Sequence, residues 1–116
     1  MSNDEAFVEV RPRQIEYYVT DDDVCPFKDW LYSLADPTGR IQIDKRLLKL
    51  ELGNFGEWDD VGDGVIELIF KNKGPGYRIY FAQDGPTIVL LLLGGMKRGQ
   101  QTDIERAKLY WRNYNQ

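Results

Sequence analysis

The sequence has no histidine, and its one cysteine is Cys25. A single cysteine excludes a disulfide within the chain, and without histidine the chain lacks the usual ligand sets of zinc, haem and iron–sulfur centres. We therefore expect neither a metal nor a cofactor. The scarcity of cysteine also fits a reducing compartment, so the expected location is the cytoplasm.

Long apolar runs are missing as well. The longest run, residues 87–93, is far shorter than the roughly 20 apolar residues of a membrane-spanning helix. The chain also begins without the charged and apolar segments of a secretory leader. We expect a soluble protein with no membrane partner, built as one domain over residues 1–116, with residues 1–13 as a loose N-terminal extension.

Positive charge is scarce in the first third of the chain. Residues 1–36 carry nine acidic and three basic side chains, whereas residues 74–116 carry six basic and three acidic ones. The net charge of -4 argues against a nucleic-acid partner only if the charge is spread evenly. The uneven distribution is either ordinary scatter or a local phosphate-binding face in the C-terminal third.

Hydrophobic periodicity predicts a strand followed by two helices in the first half of the chain. Residues 14–20 have the aromatic and β-branched composition of a strand. A first helix begins at Pro26, and a second runs from about residue 38 or 40 to Leu52, so the short link predicts a helical hairpin. The apolar positions of the first helix are Phe27, Trp30, Leu31 and Leu34, and those of the second are Ile41, Leu47, Leu48 and Leu52.

The second half reads as three strands and a final helix. Residues 54–63 are expected to be a loop anchored on the core, and the strands are residues 65–71, 77–81 and 87–93. Gly94-Gly95 ends the last strand and leads into a basic loop, residues 96–101. Thr102 and Glu105 fit a capping box at the start of the last helix. The element order β-α-α-β-β-β-α predicts an α+β fold with a mostly antiparallel sheet.

Four segments resemble the RelE/ParE superfamily of toxin–antitoxin toxins. They are FKDWLYSL, RLLKLELGNFGEWDDVGDGVIEL, GPGYRIYF and IVLLLLGGMKRGQQTDIERAKLYW, and they are most similar to the phage-related, HigB-like branch often labelled addiction module killer protein. The resemblance covers residues 14 to 112. It implies a RelE-like fold with a four-stranded sheet, an N-terminal helical hairpin and a C-terminal helix.

The resemblance also implies a function. Members of this kind are ribosome-dependent mRNA endoribonucleases in which, without metal, the 2′-hydroxyl attacks the adjacent phosphate. The implied partners are the ribosome, mRNA and a cognate helix-turn-helix antitoxin that forms a hetero-oligomer with the toxin. Two alternatives stay open, because similar folds serve different functions: a ParE-like inhibitor that binds gyrase, and a degenerate member that only binds its antitoxin.

The resemblance assigns candidate residues to that chemistry. Arg78 stands at the arginine of the family's GYR motif, where a guanidinium on a rigid strand can bind phosphate oxygens. Lys97 and Arg98 occupy the basic loop, where related toxins bind phosphate. The expected catalytic residues are therefore Arg78, Lys97 and Arg98, and the expected substrate-binding residues are Lys71, Lys73, Tyr80 and Gln101.

Each candidate also has a structural alternative. Arg78 can simply pair with an acidic neighbour such as Glu67, the loop cations can be solvated, and Tyr80 can pack in the sheet. The chain also departs from the family pattern. Ile69 stands where relatives carry an arginine, and Asp59 stands where they carry a lysine. Lys71 and Lys73 are the cations available to compensate.

Overall fold

The computed structural model describes residues 11–71 and 74–116, and its centre is a five-stranded mixed sheet. The strand order across the sheet is β1-β5-β4-β3-β2. Strands β1 and β5 run parallel, and the other three neighbouring pairs are antiparallel. The elements are β1 (Gln14–Tyr17), α1 (Pro26–Ser33), α2 (Pro37–Glu51), β2 (Trp58–Gly62), β3 (Val65–Ile69), β4 (Tyr77–Asp84), β5 (Ile88–Met96) and α3 (Gln100–Tyr114).

Helices cover the central strands on both faces of the sheet. We call these two sides the α1/α2 face and the α3 face. Along β4, Tyr77, Ile79 and Phe81 pack on the α1/α2 face, whereas Tyr80 packs on the α3 face. This alternation confirms the predicted strand. Strand β5 lies between β1 and β4 and is buried on both faces, which explains its continuous apolar run.

The expected loop at residues 54–63 is wrong in part, because Trp58–Gly62 forms the edge strand β2. Asp63 and Gly64 make the turn to β3, and both have positive φ (57° and 83°), as a tight two-residue hairpin requires. Phe55 is buried and anchors this segment on the core. The guanidinium of Arg46 bonds the backbone carbonyls of Phe55, Glu57 and Ile69, so it ties α2 to the start of this hairpin.

The apolar side of α2 also differs from the prediction. Ile43 and Leu50 are buried and Leu47 packs beside them, a spacing of four and three residues that places them on one side of the helix. Of the four expected positions, Leu47 alone packs on the core, since Ile41, Leu48 and Leu52 are exposed. Arg46 lies between these apolar positions, and its guanidinium is held by the carbonyls of Phe55 and Ile69.

The predicted boundary between β5 and α3 is wrong in two respects. Gly94 and Gly95 lie within β5 rather than ending it. The helix begins at Gln100, so Thr102 is not its N-cap and the capping box does not form. Gly99 is the N-cap, with a φ of 87° that glycine adopts without strain. The loop between β5 and α3 is therefore only residues 97–99.

The end of the expected loose extension is tied to the fold. Arg13 is buried, and its Nε donates to Gln83 Oε1 over 2.8 Å while its guanidinium lies 5.0 Å from the Phe55 ring centre. Its backbone N–H donates to the Glu51 carbonyl. The expectation is therefore wrong for residue 13, and residues 1–10 lie outside the described part of the chain. In that described part, no helix has the length and apolar character of a membrane span.

Candidate functional site

A buried carboxylate lies on the α3 face of the sheet. Glu67 is only 2% exposed, and its neighbours on either side along β3 face the opposite, α1/α2 side. Its Oε2 accepts hydrogen bonds from the hydroxyl of Tyr80 at 2.9 Å and from Nε2 of Gln100 at 2.7 Å. Because Glu67 and Tyr80 are directly paired between β3 and β4, and Gln100 opens α3, the carboxylate joins two strands to the start of the helix.

Arg78 lies beside this carboxylate. Its side chain is 11% exposed, and its Nε is 3.9 Å from Glu67 Oε2, which is an ion pair but too long for a hydrogen bond. Among the described residues, no acceptor lies within hydrogen-bond reach of this buried Nε. Nη1 donates to the carbonyls of Gly76 and Tyr77 at 3.0 and 3.1 Å. These contacts hold the guanidinium beside the first residues of β4.

Asp103 brings a second carboxylate to the same place. It lies over Gly95, the strand neighbour of Arg78, so closely that a Cβ added to Gly95 would be 2.1 Å from Asp103 Oδ2. Burial raises the pKa of Asp103, and the nearby charge of Arg106 opposes that rise. Glycine at position 95 therefore permits the first turn of α3 to pack directly on the sheet.

Tyr80 is part of this network and not of the surface. Its side chain is fully buried, so in this conformation it offers no ring face on which a base could stack. Burial raises its pKa far above the ordinary value, and the charge of Glu67 adds to the effect. The phenol consequently stays protonated and donates to Glu67. This arrangement matches the packing alternative and removes the expected substrate contact.

Lys97 and Arg78 meet at Gly76, in the turn before β4. A Cβ placed on Gly76 would be 3.1 Å from Lys97 Cβ and 3.5 Å from Arg78 Nη1. The N–H of Lys97 donates to the Gly76 carbonyl at 2.8 Å. Lys97 and Arg98 are both exposed, and within the described ranges neither side chain makes an ion pair or hydrogen bond. The loop thus presents two free cations beside the more buried arginine.

Of the remaining expected substrate contacts, Lys71 is 64% exposed and pairs with Glu57 at 2.9 Å. Gln101 is exposed, whereas its neighbour Gln100 reaches Glu67. Lys73 lies outside the described residues. The structure therefore brings Arg78 and Lys97 together and places Arg98 in the same short loop as Lys97.

The two positions that depart from the family pattern lie next to this site. Ile69 is the direct partner of Arg78 between β3 and β4, and Asp59 is the direct partner of Glu67 between β2 and β3. Residues paired in this way share a face of the sheet, so both belong to the α3 face. Arginine and lysine there would have added positive charge beside Arg78 and Glu67. This chain has an apolar residue and an exposed acid instead.

Gln100 is the site residue that the sequence did not reveal. The sequence shows two adjacent amides, Gln100 and Gln101. Which of them faces the sheet depends on the residue at which α3 begins. A helix beginning at Gln100 turns this side chain toward the sheet and Gln101 toward solvent. In residues 11–71 and 74–116, no three acidic or cysteine side chains are grouped so that they could hold a metal ion.

Comparison with known proteins finds a relative but no matching family model. No protein-family model matches the chain. A protein of Haemophilus influenzae, described as an uncharacterized protein, is 40% identical over 83 residues, which is 72% of this chain and 83% of that protein. The chain belongs to the same family as this Haemophilus protein. Membership in that family assigns no activity, so the chemistry rests on the geometry of the α3 face.

That geometry suits the binding of an anion more than proton transfer. Arg78 and Lys97 supply fixed positive charge, and the N-terminus of a 15-residue helix adds a partial positive charge nearby. Glu67 is engaged by two donors and shielded from solvent, so it holds Gln100 and Tyr80 in place instead of facing a ligand. The arrangement can therefore orient a phosphate and stabilise extra negative charge on it.

Proposed function

We propose that this protein is a toxin of the RelE/ParE type, in the HigB-like branch, and that it cleaves ribosome-bound mRNA. The observation that carries the proposal is the meeting of Arg78 and Lys97 at Gly76, next to the exposed Arg98 and the start of α3. The fold is α+β, as the resemblance implies, but the sheet has five strands where the resemblance implies four. The expected partners, an antitoxin and the ribosome, belong to this proposal.

In the proposed reaction, the 2′-hydroxyl of one nucleotide gives its proton to solvent and its oxygen attacks the adjacent phosphorus. The pentacoordinate phosphorane that forms carries more negative charge on its oxygens than the starting diester. It collapses when the P–O5′ bond breaks, which leaves a 2′,3′-cyclic phosphate and a 5′-oxygen that takes up a proton from solvent. Arg78 would donate to these oxygens from a fixed position, since its Nη1 is already anchored by two backbone carbonyls. Lys97 and Arg98 would bind the flanking phosphates, and such preorganised charge stabilises the transition state.

The buried network has a positioning role in this scheme. Glu67 holds the side chain of Gln100 and lies 3.9 Å from Arg78 Nε, so it fixes the first turn of α3 relative to the guanidinium. The negative charge of Glu67 also balances the positive charge of Arg78, and both side chains are largely shielded from solvent. The phosphate would lie on the outer side of Arg78, toward Lys97.

The experiment is primer extension on a reporter mRNA in a translating bacterial extract. We expect cuts that require ribosomes, a loss of roughly 100-fold with Arg78→Ala and roughly tenfold with Lys97→Ala. Lys28→Ala is the matched control, because Lys28 is an exposed lysine of α1, a helix on the opposite face of the sheet. Intact mRNA at high protein concentration would overturn the proposal.

A second candidate function is a non-cleaving inhibitor of gyrase, of the ParE type. It is favoured by the apolar Ile69 directly opposite Arg78 and by the exposed Asp59 opposite Glu67, because both reduce positive charge where cleavage would need it. This candidate predicts growth arrest with intact mRNA and inhibition of DNA supercoiling in a purified gyrase assay. If both assays are negative, a protein that only binds its antitoxin is left.

A further inference from the structure

Helix α2 and its C-cap residue Leu52 carry a second apolar stripe that faces solvent. Ile41, Leu48 and Leu52 are 56%, 61% and 68% exposed, although large aliphatic side chains are usually buried. With about 100° of rotation per residue, these three positions lie within roughly 20° of one line along the helix. The stripe lies on the other side of the helix from Ile43 and Leu50, which pack on the core.

The spacing of this stripe matches the seam of a coiled coil. Residues 41, 45, 48 and 52 are separated by four, three and four positions, the alternation of the d and a positions of a heptad repeat. We call these four residues, Ile41, Lys45, Leu48 and Leu52, the outer seam. They span about 16 Å of helix, which is three turns and enough for one short partner helix.

Acidic residues flank the outer seam on the side that faces β1. In the same heptad, Asp44 and Glu51 occupy both g positions, and both are exposed. A depression of about 340 Å³ runs along this side, lined by Ile15, Tyr17, Asp44, Leu47, Leu48 and Glu51. A second depression of about 580 Å³ continues past Asp44 toward Ile41 and the start of the helix. The apolar surface is therefore a groove with an acidic side.

A second copy of this chain fits the groove poorly. An antiparallel pair of α2 helices would place the g positions of the two copies together, so Asp44 would face Glu51 of the other copy. A parallel pair would place Lys45 against Lys45 in the middle of the seam, although Asp44 at a g position would then face Lys49 at an e position of the other copy. Both arrangements bring like charges together, which disfavours the pairing.

We propose that the outer seam docks an amphipathic helix of a different protein, one with apolar residues along its seam, lysine or arginine opposite Asp44 and Glu51, and an acid opposite Lys45. Helix-in-groove binding of this kind buries apolar side chains and uses flanking charges for partner choice. The site is on the opposite side of the sheet from Arg78. The inference therefore goes beyond the proposed RNA chemistry and does not depend on it.

The test uses two synthetic 18-residue helical peptides and the full-length protein. Both peptides carry leucine along the seam and glutamate opposite Lys45. One has lysine at the flanking e and g positions, and the other has glutamate there. Calorimetry measures affinity, and backbone amide chemical shifts locate the site. We expect the lysine peptide to bind along α2 and to bind at least tenfold more tightly than the glutamate peptide.

Leu48→Ser is the decisive variant, because Leu48 is exposed and its loss should leave the fold intact. It should weaken binding of the lysine peptide by about tenfold or more. Leu109→Ser is the matched control, since Leu109 is an exposed leucine on α3, and it should leave binding unchanged. The double variant Asp44→Lys/Glu51→Lys should reverse the preference between the peptides.

Four outcomes would overturn the proposal. They are failure of the lysine peptide to bind, equal binding of both peptides, binding that Leu48→Ser does not weaken, and chemical shift changes away from α2. Sedimentation equilibrium tests the other possible occupant of the outer seam, a second copy of this chain. A dimer of the wild-type protein that dissociates in Leu48→Ser would assign the outer seam to a second copy of this chain.

Discussion

The two faces of the sheet bury different kinds of side chain. On the α1/α2 face, the core is aliphatic and aromatic, with Phe55, Phe81 and Trp58 in edge-to-face contact. On the α3 face, the buried set includes the carboxylate of Glu67 and the hydroxyl of Tyr80. Burying a charge costs free energy unless partners compensate for it. The α1/α2 face buries a cation, Arg13, held by Gln83 and the Phe55 ring, whereas the α3 face buries an anion, Glu67, held by Tyr80 and Gln100.

Two adjacent glycines show the same contrast. A Cβ on Gly94 would be 2.0 Å from Cε3 of Trp30, on the α1/α2 face. A Cβ on Gly95 would be 2.1 Å from Oδ2 of Asp103, on the α3 face. The obstacle is a rigid indole in one case and a carboxylate with rotatable bonds in the other. One face is consequently hard to alter without loss of folding, and the other can be changed with the fold retained.

The largest expected effect comes from the α1/α2 face. Phe27→Ala removes a fully buried ring that contacts Trp30 and Tyr17. We expect the free energy of unfolding to fall by about 3 to 5 kcal/mol, because truncation loses apolar burial and leaves a cavity. Urea denaturation followed by circular dichroism measures it. A loss below about 1 kcal/mol would mean that this face is not the main core.

Alanine substitutions at Gly94 and Gly95 test the difference between the two faces. Gly94→Ala should lower the free energy of unfolding by about 3 kcal/mol, the upper range of overpacking, because the indole of Trp30 must move. Gly95→Ala should cost about 1 kcal/mol, since Asp103 can rotate away. The same denaturation assay tests both. Equal costs for the two variants would contradict the contrast between a rigid and an adjustable neighbour.

Replacing Glu67 tests the polar network. Glu67→Leu removes the acceptor of Tyr80 and Gln100 and should cost about 2 kcal/mol, the penalty of leaving buried donors unsatisfied. Glu67→Gln keeps an acceptor oxygen and the shape, so it should cost about 1 kcal/mol or less. Thermal and urea unfolding measure both variants. If Glu67→Leu is more stable than the wild type, the carboxylate destabilises the fold and the expected cost is wrong.

A smaller effect is expected at high pH. Burial and a hydrogen bond to Asp36 raise the pKa of Tyr77 to about 12, from an ordinary value of 10.0. The unfolded chain therefore loses its phenol proton first, so the stabilisation is complete below pH 10.0 and is lost as the pH rises toward about 12. Tyr77→Phe should flatten this slope in unfolding experiments between those pH values. An unchanged slope would contradict the assigned pKa.

The same hydrogen bond acts in the opposite direction at low pH. The Tyr77 hydroxyl and the N–H of Gly39 both donate to Asp36 and lower its pKa below the ordinary value of 3.8. The unfolded state therefore takes up a proton before the folded state does. The stabilisation is present above pH 3.8 and is lost as the pH falls through the lower, folded pKa.

Local patterns predicted much of the fold. Period-two alternation identified β4, and Phe27, Trp30 and Leu31 correctly marked the apolar side of α1. Strand β2 was missed because its acidic outer positions resemble a loop, although Asp63-Gly64 is a strong hairpin signal. The outer side of α2 could not be told from the inner one, since both carry aliphatic residues and only packing distinguishes them.

The candidate site was predictable only in part. Arg78 and Lys97 could be chosen from the sequence, and the structure brings them together at Gly76. The burial of Tyr80 and the role of Gln100 depend on how α3 packs across the sheet, which is a contact between distant segments. A sequence pattern cannot show such a contact, because the same residues on a helix beginning at Thr102 would point elsewhere.

In the proposed function, the α3 face carries the activity and Arg78 is the essential residue. The most direct measurement compares Arg78→Lys with the wild type, in mRNA cleavage on purified ribosomes and in the free energy of unfolding. We predict cleavage reduced by about 100-fold, because an ammonium cannot replace the fixed guanidinium, with stability changed by less than about 1 kcal/mol. Cleavage at the wild-type rate in this variant would contradict the account.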